Sequence, residues 1–201
     1  MREKLMMKNN LLLTAALCLA LSPLTAGAAA KGKTMQDIID ASTAVDWRTP
    51  DPAYLLYMEL ATGRVIIELA PQFAPEHVGN IRTLARAGFW DGASIYRSQD
   101  NFVVQFGDAD SDDPARARPL GEAKRQLPAE FHRAARGLAF DRLPDADGWA
   151  REVGFAEGFP AGRHPAKNTA WMAHCYGTVG AGRSDADDSS IGTELYVTIG
   201  Q

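Results

Sequence analysis

Cysteine is scarce. The 201-residue chain has two, Cys18 and Cys175. Cys18 lies in a segment expected to be removed, so one thiol remains and no internal disulfide can form; the folded part must be stable on packing alone. Basic clusters are also missing. Twenty-one Lys and Arg stand against 25 Asp and Glu, a formal charge of −4, with no Lys/Arg block or stripe. That argues against a nucleic-acid partner. After the first thirty residues no apolar run is long enough to cross about 30 Å of hydrocarbon. The four histidines, His77, His132, His164 and His174, have no metal-ligand spacing, so no metal is expected. No internal repeat is present. The remaining composition, 46% hydrophobic and 23% charged, is that of one globular domain with room for a sizeable core.

The chain does have a distinct beginning. Arg2, Lys4 and Lys8 precede an apolar run over 11–21, followed by Ser22-Pro23 and small residues through Ala30. This is the layout of a secretory signal peptide, assigned to 1–28 with cleavage expected after Ala28 or Ala30. A membrane anchor fits less well, because the run is short and Pro23 interrupts it. Leu17 stands where a lipoprotein signal wants a small residue before Cys18. Cleavage removes three bases and one acid, leaving a remainder two charges more acidic. The expected location is periplasmic or secreted, with no stable membrane insertion after cleavage.

Residues 29–52 read as a lead-in, with weak helical character over 36–44 and a break over 46–52. A domain is expected over 53–201. Leu56, Met58 and Leu60 share one strand face, as do Val65, Ile67 and Leu69, and Thr62-Gly63 is expected to supply the turn between them. The period then changes. Pro75 suits a first helical turn, Val78, Ile81, Leu84 and Ala85 make an apolar stripe, and Gly88 ends the helix. Residues 89–92 read as a turn, 94–98 and 102–106 as strands. Residues 109–168 show little pattern beyond short helical pieces expected around 128–135; a stretch this long is either functional or an insertion. Residues 171–181 and 195–199 read as two more strands. The expected class is mainly β, a barrel or sandwich with one helix at an end, and not a doubly wound fold.

Several of these segments resemble the cyclophilin-type peptidyl-prolyl cis/trans isomerases. Glu68-Leu69 and the helix from Ala74-Pro75 through Val78-Gly79-Asn80-Ile81 resemble the family's amino-terminal "E-L…A-P…V-x-N-F" block. Phe89-Trp90-Asp91-Gly92 resembles its aromatic turn. Tyr96-Arg97, then Phe102-Val103-Val104-Gln105-Phe106-Gly107-Asp108, resembles "F-H-R-x-x-x-x-F-x-x-Q-x-G-D" with the spacings kept. More weakly, 177–183 resembles "G-x-L-S-M-A" and 192–197 resembles "G-S-Q-F-F-I". The resemblance implies an antiparallel β-barrel capped by helices, incomplete in this chain, with 109–168 as a long insertion.

It also implies a chemistry. Rotation about an X-Pro bond meets a barrier of about 18–20 kcal/mol set by amide resonance. No bond breaks, so no nucleophile, metal or cofactor is required; the site must bind the twisted amide better than either planar form. By the resemblance Arg97 is catalytic, donating a hydrogen bond to the prolyl nitrogen that regains its lone pair. Gln105 orients Arg97 and holds the substrate backbone. Phe102 and Val103 line the proline pocket, with Leu195 and Tyr196 on the facing strand, and Gly182 and Arg183 lie along the peptide groove. The implied partners are unfolded or folding polypeptides that contain proline.

The chain departs from the pattern at Tyr96 for His, Phe106 for Gly and Glu194 for Gln, and Glu194 is expected to be able to draw Arg97 or Arg183 into an ion pair. The family continues beyond the strand matched by 195–199, with a pocket Trp and His, two strands and a closing helix. Here the chain stops at Gln201, and a fragment or truncated reading frame is expected. Three other readings stand beside the enzyme. A hydrolase using Cys175 with His174 is disfavoured, because neighbours on a strand point to opposite faces. Calcium binding at 185–188 lacks ordered ligands. A non-catalytic peptide-binding or chaperone module on the same fold is the serious one, and such a module would not need Arg97.

Overall fold

The structure, a computed structural model, describes residues 32–111, 113–145, 147–183 and 190–200. The signal-peptide reading, Cys18 and the acidic run 185–188 lie outside the described residues. The chain divides into two compact units, one up to Arg48 and the other from Thr49 on. In the first, helix α1 (Met35–Ala41) opens with a capping box: Thr34 and Asp37 each accept from the other's backbone amide. Trp47 donates its indole N–H to Ser42 Oγ at 3.0 Å.

The second unit begins with a hairpin of β1 (Leu55–Leu60) and β2 (Gly63–Glu68). Leu60 faces Gly63, so the loop is Ala61-Thr62 and Gly63 opens the second strand, one residue earlier than expected. Helix α2 (Pro75–Arg86) has Pro at its first turn and buries Val78, Ile81 and Leu84, the spacing that 3.6 residues per turn puts on one face. Asn80 is buried with them, 4% exposed. Its amide donates to the Ile191 and Lys124 carbonyls at 2.8 and 3.2 Å and accepts from the Lys124 amide at 2.7 Å. One side chain thereby ties two distant loops to the helix. The start of α2 is closed by Glu130, which accepts from the Glu76 and His77 amides at 3.1 and 3.0 Å. These are amides a helix cannot satisfy itself.

Four strands, β3 (Ser94–Gln99), β4 (Val103–Gly107), β10 (Val179–Ala181) and β11 (Glu194–Thr198), form an antiparallel sheet in the order β10-β11-β4-β3. One face of it, carrying Phe106 and Leu195, packs on Ile67 and Leu69 of the hairpin end and Val78 and Ile81 of α2. A second sheet, in the order β5-β9-β8-β7-β6, comprises β5 (Arg133–Ala134), β6 (Asp141–Arg142), β7 (Glu152–Ala156), β8 (Phe159–His164) and β9 (Thr169–Met172).

This second sheet corrects two expectations. The region 109–168 holds four of its strands, and 128–135 carries strand β5 where helical pieces were expected. Residues 171–181 are not one strand: β9 ends at Met172 in the second sheet and β10 begins at Val179 in the first. Gly177, at φ 84°, lies in the connection between them. The mainly β, antiparallel architecture is as expected, though the three sheets do not join into a closed barrel among the described residues. No helix of the described residues is long and apolar enough to cross a membrane.

Candidate active site on the four-stranded sheet

Side chains alternate faces along a strand, so the register settles which residues stand together. Leu195 pairs with Phe106 and turns into the core, whereas Tyr196 pairs with Gln105 and both take the opposite face. Gly180 is opposite Tyr196 on β10, and Arg97 is opposite Gln105 on β3. Gly180, Tyr196, Gln105 and Arg97 therefore form one row across four strands.

Within that row Arg97 is held from two sides. Its Nη1 donates to Gln105 Oε1 at 2.6 Å and its Nη2 to Gln99 Oε1 at 2.9 Å. Gln99 was not singled out by sequence, though its position two residues beyond Arg97 on the same strand face was the available signal. The Arg97 guanidinium carbon lies 5.7 Å from the centre of the Phe102 ring. Phe102 is 54% exposed, standing as an apolar wall beside the cation. Its carbonyl accepts from the Ile199 amide at 3.0 Å, which fixes this residue just ahead of β4. Arg97 has no ion-pair partner among the described residues, so its charge is oriented by neutral amides and not cancelled.

Tyr196 lies across Gly180, where any Cβ would strike the phenol ring. Its hydroxyl is 2.7 Å from His174 Nε2, and the two rings are stacked at 9° with centres 6.0 Å apart. Burial pushes the Tyr196 pKa up, opposed by the positive charge of Arg183, so the phenol stays protonated beside the imidazole. This contact occupies His174, while Cys175 is a free, exposed thiol. Nothing in the arrangement joins them as nucleophile and base.

The other predicted residues are placed as follows. Val103 is buried beside Phe102 in the chain, 7% exposed. Gly182 donates its amide to the Glu194 carbonyl at 2.9 Å, extending the β10–β11 ladder. Arg183 carries its guanidinium 5.2 Å above the Phe131 ring. A cleft of about 1050 Å³ is lined by Gln105, Gly182, Arg183, Leu195 and Tyr196 together with Phe159, Trp171 and Met172 of the second sheet. Arg97, Phe102 and Val103 lie outside its lining. Among the described residues no group of three or more His, Cys, Asp or Glu is placed to hold a metal ion.

Glu194 takes hydroxyl partners. Its carboxylate accepts from Tyr96 Oη at 2.9 Å and from Ser111 Oγ at 2.5 Å, while Arg97 is held by glutamines. A bulge makes this reach possible. The β3–β4 register shifts between Ile95 and Arg97, leaving Tyr96 as the extra residue, and bulges re-aim side chains in this way. Gly107, the residue Tyr96 must cross, has φ 128°, and a Cβ there would run into the Thr193 carbonyl.

The row of Arg97, Gln105, Tyr196 and the flanking Phe102 is a preoriented cation beside aromatic surface on an accessible sheet face. The family described as cyclophilin type peptidyl-prolyl cis-trans isomerase/CLD matches residues 55–201. The chain belongs to that family.

Among relatives, a probable peptidyl-prolyl cis-trans isomerase of Brucella suis biovar 1 (strain 1330) is 36% identical over 107 residues, 48% of this chain and 55% of that protein. Peptidyl-prolyl cis-trans isomerase ppi1 of Schizosaccharomyces pombe (strain 972 / ATCC 24843) is 37% identical over 51 residues, 25% of this chain and 33% of that protein. The crystal structure of cyclophilin AquaCyp293 from Hirschia baltica superposes with a TM-score of 0.61 at 25% identity, covering 84% of this chain and 65% of that one. The chain spans about half the length of the Brucella relative.

Proposed function

We propose that this protein is a peptidyl-prolyl cis/trans isomerase of exported polypeptides, with Arg97 as its catalytic residue. The observation that carries the reading is the two-sided hold on Arg97 by Gln105 and Gln99 next to the exposed Phe102 ring. A planar amide nitrogen is a poor acceptor, because its lone pair is delocalised. As the X-Pro bond twists, the nitrogen becomes pyramidal and the lone pair returns. A fixed guanidinium donor favours that state over both planar isomers, which is the condition for faster rotation. Two glutamines holding the fork reduce the ordering left to do at the moment of reaction. Phe102 and Tyr196 supply apolar surface for the pyrrolidine ring, and Gln105 keeps its amide nitrogen available for the peptide backbone.

The layout of residues 1–28 supports export to the periplasm or medium, and proline-containing chains folding there are the proposed substrates. Amino-terminal sequencing of the secreted protein is expected to begin at Ala29 or Lys31. In a protease-coupled assay on an X-Pro peptide, Arg97→Ala is expected to lower kcat/KM by about 10²-fold or more, the scale seen when one preorganised transition-state donor is lost. Equal rates at background for both proteins would instead leave a peptide-binding module without catalysis.

A further inference from the structure

Tyr96 and Glu194 are two positions where the chain departs from the family pattern, and they meet each other. The Tyr96 hydroxyl donates to one carboxylate oxygen of Glu194 and Ser111 to the other. Partial burial, then the bond to Glu194, push the Tyr96 pKa up, so the phenol remains the donor. Each carboxylate oxygen has two lone pairs and spends one, leaving two acceptor sites and no donors. An amide at this position would offer N–H groups as well and could not take both hydroxyls in the same way. The nearby cations are engaged elsewhere, Arg97 with two glutamines and Arg183 over the Phe131 ring.

Its location gives the carboxylate something to act on. Glu194 pairs with Gly107 and is two residues from Tyr196, on the same face as the Arg97 row. Two strand spacings and one pleat separate its backbone from that of Arg97, roughly 10–12 Å, which an extended peptide covers in about three or four residues. A substrate whose prolyl nitrogen sits at Arg97 thus brings a nearby side chain within reach of Glu194.

We propose that Glu194, positioned by Tyr96 and Ser111, is a specificity-determining residue that favours peptides with a Lys or Arg within three residues of the proline. This rests on the reading of Arg97 and the sheet face as the isomerase site. The attraction is that of a partly exposed ion pair, so discrimination is modest and sensitive to salt.

The test uses X-Pro peptides carrying Lys or Glu at each position within three residues of the proline. Both binding, by titration calorimetry, and isomerisation, by kcat/KM, are measured for the unmodified protein, Glu194→Gln and Glu194→Lys. At one or more positions the unmodified protein is expected to prefer Lys over Glu by about two- to fivefold. The preference should shrink in Glu194→Gln, reverse in Glu194→Lys, and fade in 1 M salt, where screening acts over about 3 Å. Turnover or binding that is indifferent to peptide charge, or an unchanged preference in Glu194→Gln, would overturn the proposal while leaving the isomerase intact. Charge-selective binding without turnover would sustain it and overturn the isomerase reading. Absence of both binding and turnover would overturn both.

Discussion

On the four-stranded sheet, Phe106 and Leu195 pack against Ile67, Leu69, Val78 and Ile81. On the five-stranded sheet, the buried face is Ala156, Ala161 and Ala170, joined by Ala70, Phe73 and Leu138. The first is a core of branched and aromatic side chains, each removing a large apolar area from water. In the second the sheet itself contributes only the methyl groups of its alanines, and the larger buried side chains, Phe73 and Leu138, come from outside the strands. Hydrophobic stabilisation scales with that area, at about 25 cal/mol per Å². The sheet that carries the site is therefore also the better anchored one. Its inner face fixes Leu195 and Phe106, and strand alternation then holds Tyr196, Gln105 and their partner Arg97 on the other side. Ahead of the five-stranded sheet, Glu130 holds the start of α2, and Arg133 of β5 donates to the Gln72 carbonyl at 2.8 Å.

Three substitutions probe the comparison. Leu195→Ala should have the largest effect, about 2–5 kcal/mol lost in urea unfolding, because the side chain is 3% exposed in the larger core. A smaller loss would mean the first core repacks easily, and the contrast would weaken. Ala161→Leu is next. It inserts a large side chain where a residue 2% exposed sits between strands, and overpacking of this kind costs about 1–3 kcal/mol. Stabilisation would instead reveal unfilled volume between the second sheet and its cover.

The smallest effect is expected for Glu130→Ala, about 1 kcal/mol as for loss of a helix cap. Its sign with pH is also set. Burial raises the Glu130 pKa, but the hydrogen bonds from the His77 amide, the His77 ring and the Glu76 amide outweigh it, and the net shift is downward. The unfolded carboxylate then binds protons more readily than the folded one. Its stabilisation is present above the ordinary carboxylate range and is lost as pH falls through the lowered folded value. Acid unfolding monitored by circular dichroism should show a shallower decline over that range in Glu130→Ala than in the unmodified protein.

The same difference in side-chain size explains what could be read in advance. The hairpin and α2 announce themselves through Leu56, Met58, Ile67, Val78, Ile81 and Leu84 at periods of two or 3.6. The five-stranded sheet has no such signal. Its buried positions are Ala and Gly, residues that are also common in loops, and Gly162 packs directly on Trp171 and Ala150 because it has no side chain. Phe155, one of its few large residues, faces outward at 40% exposure. Pattern alone therefore gives 109–168 as an insertion and runs β9 and β10 together as one strand. At the site, Arg97 and Gln105 are implied by the motif resemblance and do bond each other. His174 and Ser111 are not, since each meets its partner across 22 and 83 residues of chain.

Sequence alone therefore determined the family, the class of fold, the helix and the row-forming residues Arg97, Gln105 and Tyr196, because local periodicity and motif spacing are properties of neighbouring residues. Tertiary structure decided which face each residue takes, the bulge that turns Tyr96 toward Glu194, and the pairing of Glu194 with hydroxyls. Those outcomes depend on register and on close approaches such as Gly107 against Thr193, and register is set by contacts between strands that lie far apart in the chain.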